Sequence, residues 1–129
     1  MFKNFLTTVC LMATPALCMA EGDAAKGEKV FKKCKACHAV GEGAKHKVGP
    51  ELNGVVGRAI AGAEGFKYSD ALNALGAEGK TWSAEELAAF LTKPRDYAKG
   101  TKMSFAGLRK EADRDNVIAY LDSFSEGGS

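Results

Sequence analysis

The sequence predicts an all-α domain in which helices from the two ends of the chain cross and long loops fill the space between them. Three observations carry that reading. Apolar residues recur at the helical period near both ends, no convincing strand pattern interrupts them, and the region between His38 and Phe66 holds seven glycines without helical periodicity. At 129 residues, 46% hydrophobic and 26% charged, the chain has room for one domain and the composition of a globular protein. Low-complexity segments and internal repeats are absent from the sequence.

Taken in order, residues 1–20, "MFKNFLTTVCLMATPALCMA", combine Lys3, an apolar run broken by Pro15 and the small Ala20. That pattern predicts an export signal cleaved near Ala20, followed by a domain over 21–129. The run is too short and interrupted to span a bilayer, so a soluble exported protein is expected. Leu17 is bulky where a lipid-modified Cys18 would need a small neighbour. Without this segment the chain keeps Cys34, Cys37, His38, His46 and Met103, and its net charge falls from +2 to +1 with Lys3.

Asp23 caps the first expected helix, whose Gly27, Val30, Phe31 and Cys34 share one face. Val117, Tyr120, Leu121 and Phe124 repeat the spacing near the C-terminus, and Gly27 permits the two helices to approach closely. Ser83 and Glu86 read as a capping box ahead of Leu87, Phe90 and Leu91, with Pro94 ending that helix. A shorter helix is expected from Ser69 to Gly76. The glycine-rich stretch is long for a loop in a small domain. Its Leu52, Val55, Val56 and Ile60 argue against disorder and for wrapping around a large flat group.

Cys34, Cys37 and His38 stand as Cys-x-x-Cys-His in "KKCKACHAV". A structural zinc site needs four ligands, and Cys34, Cys37, His38 and His46 match the number. Adjacent Cys37 and His38 could hardly both reach one tetrahedral ion, however, and no second cysteine pair exists outside residues 1–20. A dithiol redox pair suits an oxidising compartment but expects a βαβ setting that is not visible here. Covalent haem accounts for all three residues: each cysteine adds to one vinyl group as a thioether, and the histidine becomes the proximal iron ligand. One haem c, held through Cys34 and Cys37, is the expected cofactor.

The other axial position decides what such an iron does. A vacant or labile site allows gas or peroxide chemistry, whereas two strong protein ligands leave only a change of charge. Met103, in the loop-like run "KGTKMSFAG", is the sole thioether outside residues 1–20 and the expected ligand. His46 is the other candidate, read instead as a loop histidine bonded to nearby backbone.

The motifs "GEKVFKKCKACHAV", "HKVGPELNGVVGR", "GFKYSDA", "TW", "GTKMSF" and "VIAYL" together resemble the class I c-type cytochromes, the bacterial cytochrome c2 and mitochondrial cytochrome c group, from Gly27 to Leu121. The resemblance implies the small haem-wrapping cytochrome c fold, with His38 and Met103 on the iron and the Pro50 carbonyl accepting from the second nitrogen of His38. It further implies Arg58, Tyr68 and Trp82 as haem-propionate partners, Thr101 as a hydrogen-bond donor near Met103, and a Gly27–Tyr120 contact between the terminal helices. The function implied is a periplasmic electron carrier, not an enzyme. Its implied partners are a quinol-oxidising cytochrome bc1-type reductase and a photosynthetic reaction centre or terminal cytochrome oxidase. Leu72 stands where many relatives have Asn, Phe90 where many have Tyr, and "GAEGK" resembles a short insertion. These changes are expected to leave the surroundings of Met103 drier.

Charge placement bears on docking. Lys29, Lys32, Lys33 and Lys35 surround the cysteines, and Lys93, Arg95, Lys99, Lys102, Arg109 and Lys110 flank Met103 with only Asp96 opposing. Residues 111–126 are mainly acidic. A polarised monomer is expected, its lysine-rich face rimming the haem edge and steering it to acidic partners. A net charge near zero argues against nucleic acid as a partner.

Overall fold

Five helices and no sheet make up the regular structure of residues 22–125, the part of the chain described by this computed structural model. The expected export signal lies outside the described residues. In chain order the helices are α1 (Ala24–Phe31), α2 (Asp70–Ala77), α3 (Ala84–Thr92), α4 (Pro94–Tyr97) and α5 (Glu111–Asp122). A lone antiparallel bridge joins Ala59 to Thr81.

Four of the five starts have a local cause. Asp23 is extended, so its carboxylate accepts from the backbone N–H groups of Ala25 and Lys26 at 2.8 and 3.2 Å. Ser69 and Ser83 cap α2 and α3 in the same way, through Leu72 N–H and Glu86 N–H. The expected capping box is only half made: Ser83 N–H donates to the Thr81 carbonyl, and the Glu86 carboxylate turns away to accept from the Tyr97 hydroxyl. Pro94 does more than stop α3. With no N–H to satisfy and φ preset, it occupies the first turn of α4, a short helix that the sequence reading lacked.

The terminal helices form the largest helix–helix contact and cross at Gly27. A Cβ there would sit 1.9 Å from the Asn116 carbonyl oxygen and 2.7 Å from Tyr120 Cβ, so only glycine admits the approach. Phe31 packs on Tyr120 with ring centroids 5.4 Å apart, and Asp23 N–H donates to the Asn116 side chain at 2.8 Å. Two expected members of the apolar stripes lie just outside the helices. α1 ends at Phe31, and turns bring Cys34 N–H to the Phe31 carbonyl and His38 N–H to that of Cys34. Past the end of α5, Phe124 packs edge-on against Tyr120 while its carbonyl accepts from Gly54 N–H.

The glycine-rich stretch is pinned rather than loose. Asn53 clasps Gly41, its Oδ1 accepting the Gly41 N–H at 2.7 Å and its Nδ2 donating to the Gly41 carbonyl at 2.9 Å. Ile60 N–H donates to Lys80, and Arg58 and Trp82 are joined through Trp82 N–H and the Arg58 carbonyl. Phe31, Val55, Ile60, Trp82, Leu87, Val117 and Leu121 are buried together in one core. Burial of each such side chain is worth about 1.5–3 kcal/mol.

Candidate functional site

That core is not solid. It encloses a cavity of about 350 Å³ whose wall draws on the turns after α1, the glycine-rich loops, α3, α5 and the segment between α4 and α5. All the sequence-predicted site residues reach it: Cys34, Cys37, His38, Pro50, Arg58, Tyr68, Trp82, Thr101 and Met103. Apolar side chains such as Leu52, Phe66, Leu72 and Phe105 supply much of the rest.

His38 is held from two directions. Its Nδ1–H donates to the Pro50 carbonyl at 2.7 Å, leaving Nε2 as the nitrogen with a free lone pair. A Cβ on Gly49 would stand 2.3 Å from the ring Cε1, so the glycine lets the loop backbone lie against the imidazole. Burial, aided by the charges of Arg58 and Lys47, pushes the His38 pKa below its usual value, although the Pro50 bond opposes this. A neutral ring with a fixed tautomer is the form that binds a metal.

Cys34 and Cys37 are free thiols. Burial raises Cys34 to about 11, with Lys33 lowering it and Cys37 adding to the rise. A dithiol redox centre needs the opposite, an activated thiolate. Among the described residues no group of three or more His, Cys, Asp or Glu is placed to hold a metal. His46 is not on the cavity wall. Both its ring nitrogens are engaged, Nε2–H donating to the Glu64 carbonyl at 2.7 Å and Nδ1 accepting from Glu51 N–H at 3.1 Å.

Arg58 is the most telling polar group. Its terminal nitrogens donate to the Glu51 and Asn53 carbonyls and to the Glu51 carboxylate, but its buried Nε has no partner. An orphaned cationic donor on a cavity wall calls for an acidic group inside. The Tyr68 hydroxyl accepts from Ala63 N–H at 3.1 Å and keeps its own proton to give. Thr101 is likewise arranged: its Oγ1 accepts from Met103 N–H at 3.3 Å, and its hydroxyl hydrogen remains available.

Sequence reasoning missed the Glu51 carboxylate beside Arg58 and the Glu86–Tyr97 pair. Neither follows a recognisable spacing. Leu72 and Phe90 both face the cavity, and Phe90 packs tilted against Trp82 and edge-on against Tyr97, with centroids 5.1 and 5.6 Å away.

Two thiols, a neutral imidazole, a thioether and a guanidinium with its Nε unpartnered around one apolar cavity define a protein built around a flat, acid-bearing prosthetic group. The Cytochrome c family model matches residues 24–125. Cytochrome c-550 of Ancylobacter novellus is 55% identical over 105 residues, which cover 81% of this chain and 98% of that one. Cytochrome c2 of Agrobacterium tumefaciens (strain II Chrys) is 52% identical, over 78% of this chain and 91% of the relative. The solved cytochrome c2 of Rhodospirillum centenum superposes with a TM-score of 0.75 at 46% identity, covering 81% of this chain and 99% of its own.

The chain therefore belongs to the cytochrome c family and has the small cytochrome c fold. It is an electron-transfer protein, not an enzyme, and its cofactor is one haem c attached through Cys34 and Cys37. The residues on the wall fit that group: half-buried thiols for the thioethers, apolar faces for the macrocycle and the free Nε of Arg58 for an acid substituent. No helix among the described residues is long and apolar enough to cross a membrane.

Proposed function

We propose that this protein is a soluble periplasmic shuttle of single electrons, with His38 and Met103 as the side chains that would ligate the haem iron. The observation that carries the reading is the meeting of both side chains on one cavity, with the second nitrogen of His38 fixed by Pro50 at 2.7 Å. When bound, haem supplies a one-electron ferric/ferrous couple. The chain's own part is to hold ligands and exclude water. His38 offers Nε2 in a set orientation, Met103 offers a soft thioether that favours the ferrous state, and the apolar wall disfavours the extra ferric charge. Arg58, Tyr68 and Trp82 would hold the acid substituents, and Thr101 keeps a hydroxyl hydrogen for the surroundings of Met103.

Export of the chain by a signal ending near Ala20, leaving a domain over 21–129, completes this reading. The partners are a cytochrome bc1-type reductase on one side and a reaction centre or terminal oxidase on the other, met through the lysine-rich edge. Lys33, Lys67 and Lys102 are exposed and line the cavity, as does Val48, which is 77% exposed and offers an apolar contact point. Rates with acidic membrane partners should fall steeply with salt.

Met103→Ala tests the ligation. It should lower the potential, abolish the thioether-to-iron charge-transfer band and let the reduced protein bind carbon monoxide promptly. A variant that keeps the band and the potential refutes the assignment of Met103.

A further inference from the structure

Glu51 stands beside Arg58 at the edge of the site. Its carboxylate is anchored at both oxygens: Oε2 accepts from Asn53 N–H at 2.7 Å and Oε1 meets the Arg58 guanidinium at 3.2 Å. Both side chains of this ion pair are mostly buried, 17% exposed for Arg58 and 23% for Glu51. The neighbouring His46 ring fixes the Glu51 backbone through its N–H. A mostly buried anion thus stands against the cavity-lining cation whose buried Nε has no partner.

We infer that Glu51 is a positioning residue that sets the reduction potential. It acts through Arg58, which it shares with the acid group of the cofactor, and it offsets the positive charge that Arg58 brings to the cavity. The inference rests on the proposal that Arg58 faces a haem propionate. Two effects have the same sign. A fixed negative charge near the iron stabilises the ferric state, and partial neutralisation of Arg58 weakens the opposing pull toward ferrous. Because the pair is largely buried, salt screens it less than it screens the rim lysines.

The ferric-to-ferrous ratio at fixed ambient potential is the quantity to measure, by voltammetry of the haem-loaded protein. Glu51→Gln keeps the shape and an oxygen acceptor for Asn53 N–H but removes the charge. It should shift the ratio toward ferrous by roughly three- to tenfold, tenfold being about 59 mV for a one-electron couple. Glu51→Asp keeps the charge while altering the geometry more, and should stay near the wild-type potential. Glu64→Gln, an equal loss of charge at an exposed site in a neighbouring loop, should change little.

Arg58→Gln reports the underlying proposal separately and should move the potential down. If Arg58→Gln shifts the potential and Glu51→Gln does not, Glu51 has no tuning role. An Asp variant displaced as far as the Gln variant would also overturn the inference, since geometry and not charge would then be responsible. No shift in Arg58→Gln would remove the propionate assignment, and the Glu51 inference with it.

Discussion

Replacing Gly27 by Ala should break the fold where its two ends meet. The added Cβ would lie 1.9 Å from the Asn116 carbonyl oxygen, and that neighbour is backbone, which cannot rotate aside. Restoring an ordinary contact requires α1 and α5 to separate by more than about 1 Å, enough to forfeit a good part of the dispersion between Phe31 and Tyr120. Overpacking of this kind costs about 1–3 kcal/mol, and the clash on two sides places it at or above the top of that range. The gain in helix propensity from Gly to Ala returns about 1 kcal/mol. A net loss of roughly 2–3 kcal/mol follows, a fall of about 10–20 °C in Tm for a domain of this size. Chemical denaturation of the haem-loaded protein, followed by far-ultraviolet circular dichroism, measures it. The exposed neighbour Lys26→Ala serves as control and should fall within about 0.5 kcal/mol of wild type. A Gly27→Ala midpoint at or above that of wild type would show that the crossing is not as tight as described.

Other outcomes follow from single contacts. The Tyr97 phenol is raised above the usual value, first by burial and then by its hydrogen bond to Glu86 and that carboxylate's charge. Since its folded pKa lies above the unfolded one, its contribution is complete below about pH 10 and declines as the pH rises further. The stability gap between wild type and Tyr97→Phe should therefore narrow above pH 10, and Glu86→Gln should lower the phenol's pKa in an ultraviolet titration; a gap constant to pH 11 would count against the bond. Asn53→Ala removes both bonds to Gly41 and should cost about 1–3 kcal/mol. Hydrogen exchange should then accelerate at Gly41 N–H but not at Leu108 N–H, which donates to Leu91 at 2.7 Å in a separate part of the fold. Equal acceleration at both would mean global destabilisation rather than release of the loop.

What the sequence disclosed and what it concealed divide by range. The caps at Asp23 and Ser83 were legible because a short side-chain oxygen reaches an N–H two or three residues on. The terminal helices were legible because Gly27 and Phe31, or Val117 and Leu121, recur at a period that only a helix brings to one face. The cysteines and His38 carried a spacing specific to one chemistry. Concealed were the contacts whose partners lie far apart or compete with a local rule. Glu86 looked like the second half of a capping box, yet a phenol eleven residues away took its carboxylate. His46 was read as bonded to nearby backbone, and one such partner is Glu51, but the other is the Glu64 carbonyl, 18 positions on. Pro94 was a stop signal in the sequence and is also a start, because the chain resumes a helical turn at once.

The bond from Asp23 to Asn116 spans 93 positions and ties the first described helix to the last. Bringing together ends so distant costs about 2 kcal/mol more loop entropy than closing a ten-residue turn. The segment that begins α1 therefore finds its mate only once α5 is available, and removing either helix leaves the other without its lock.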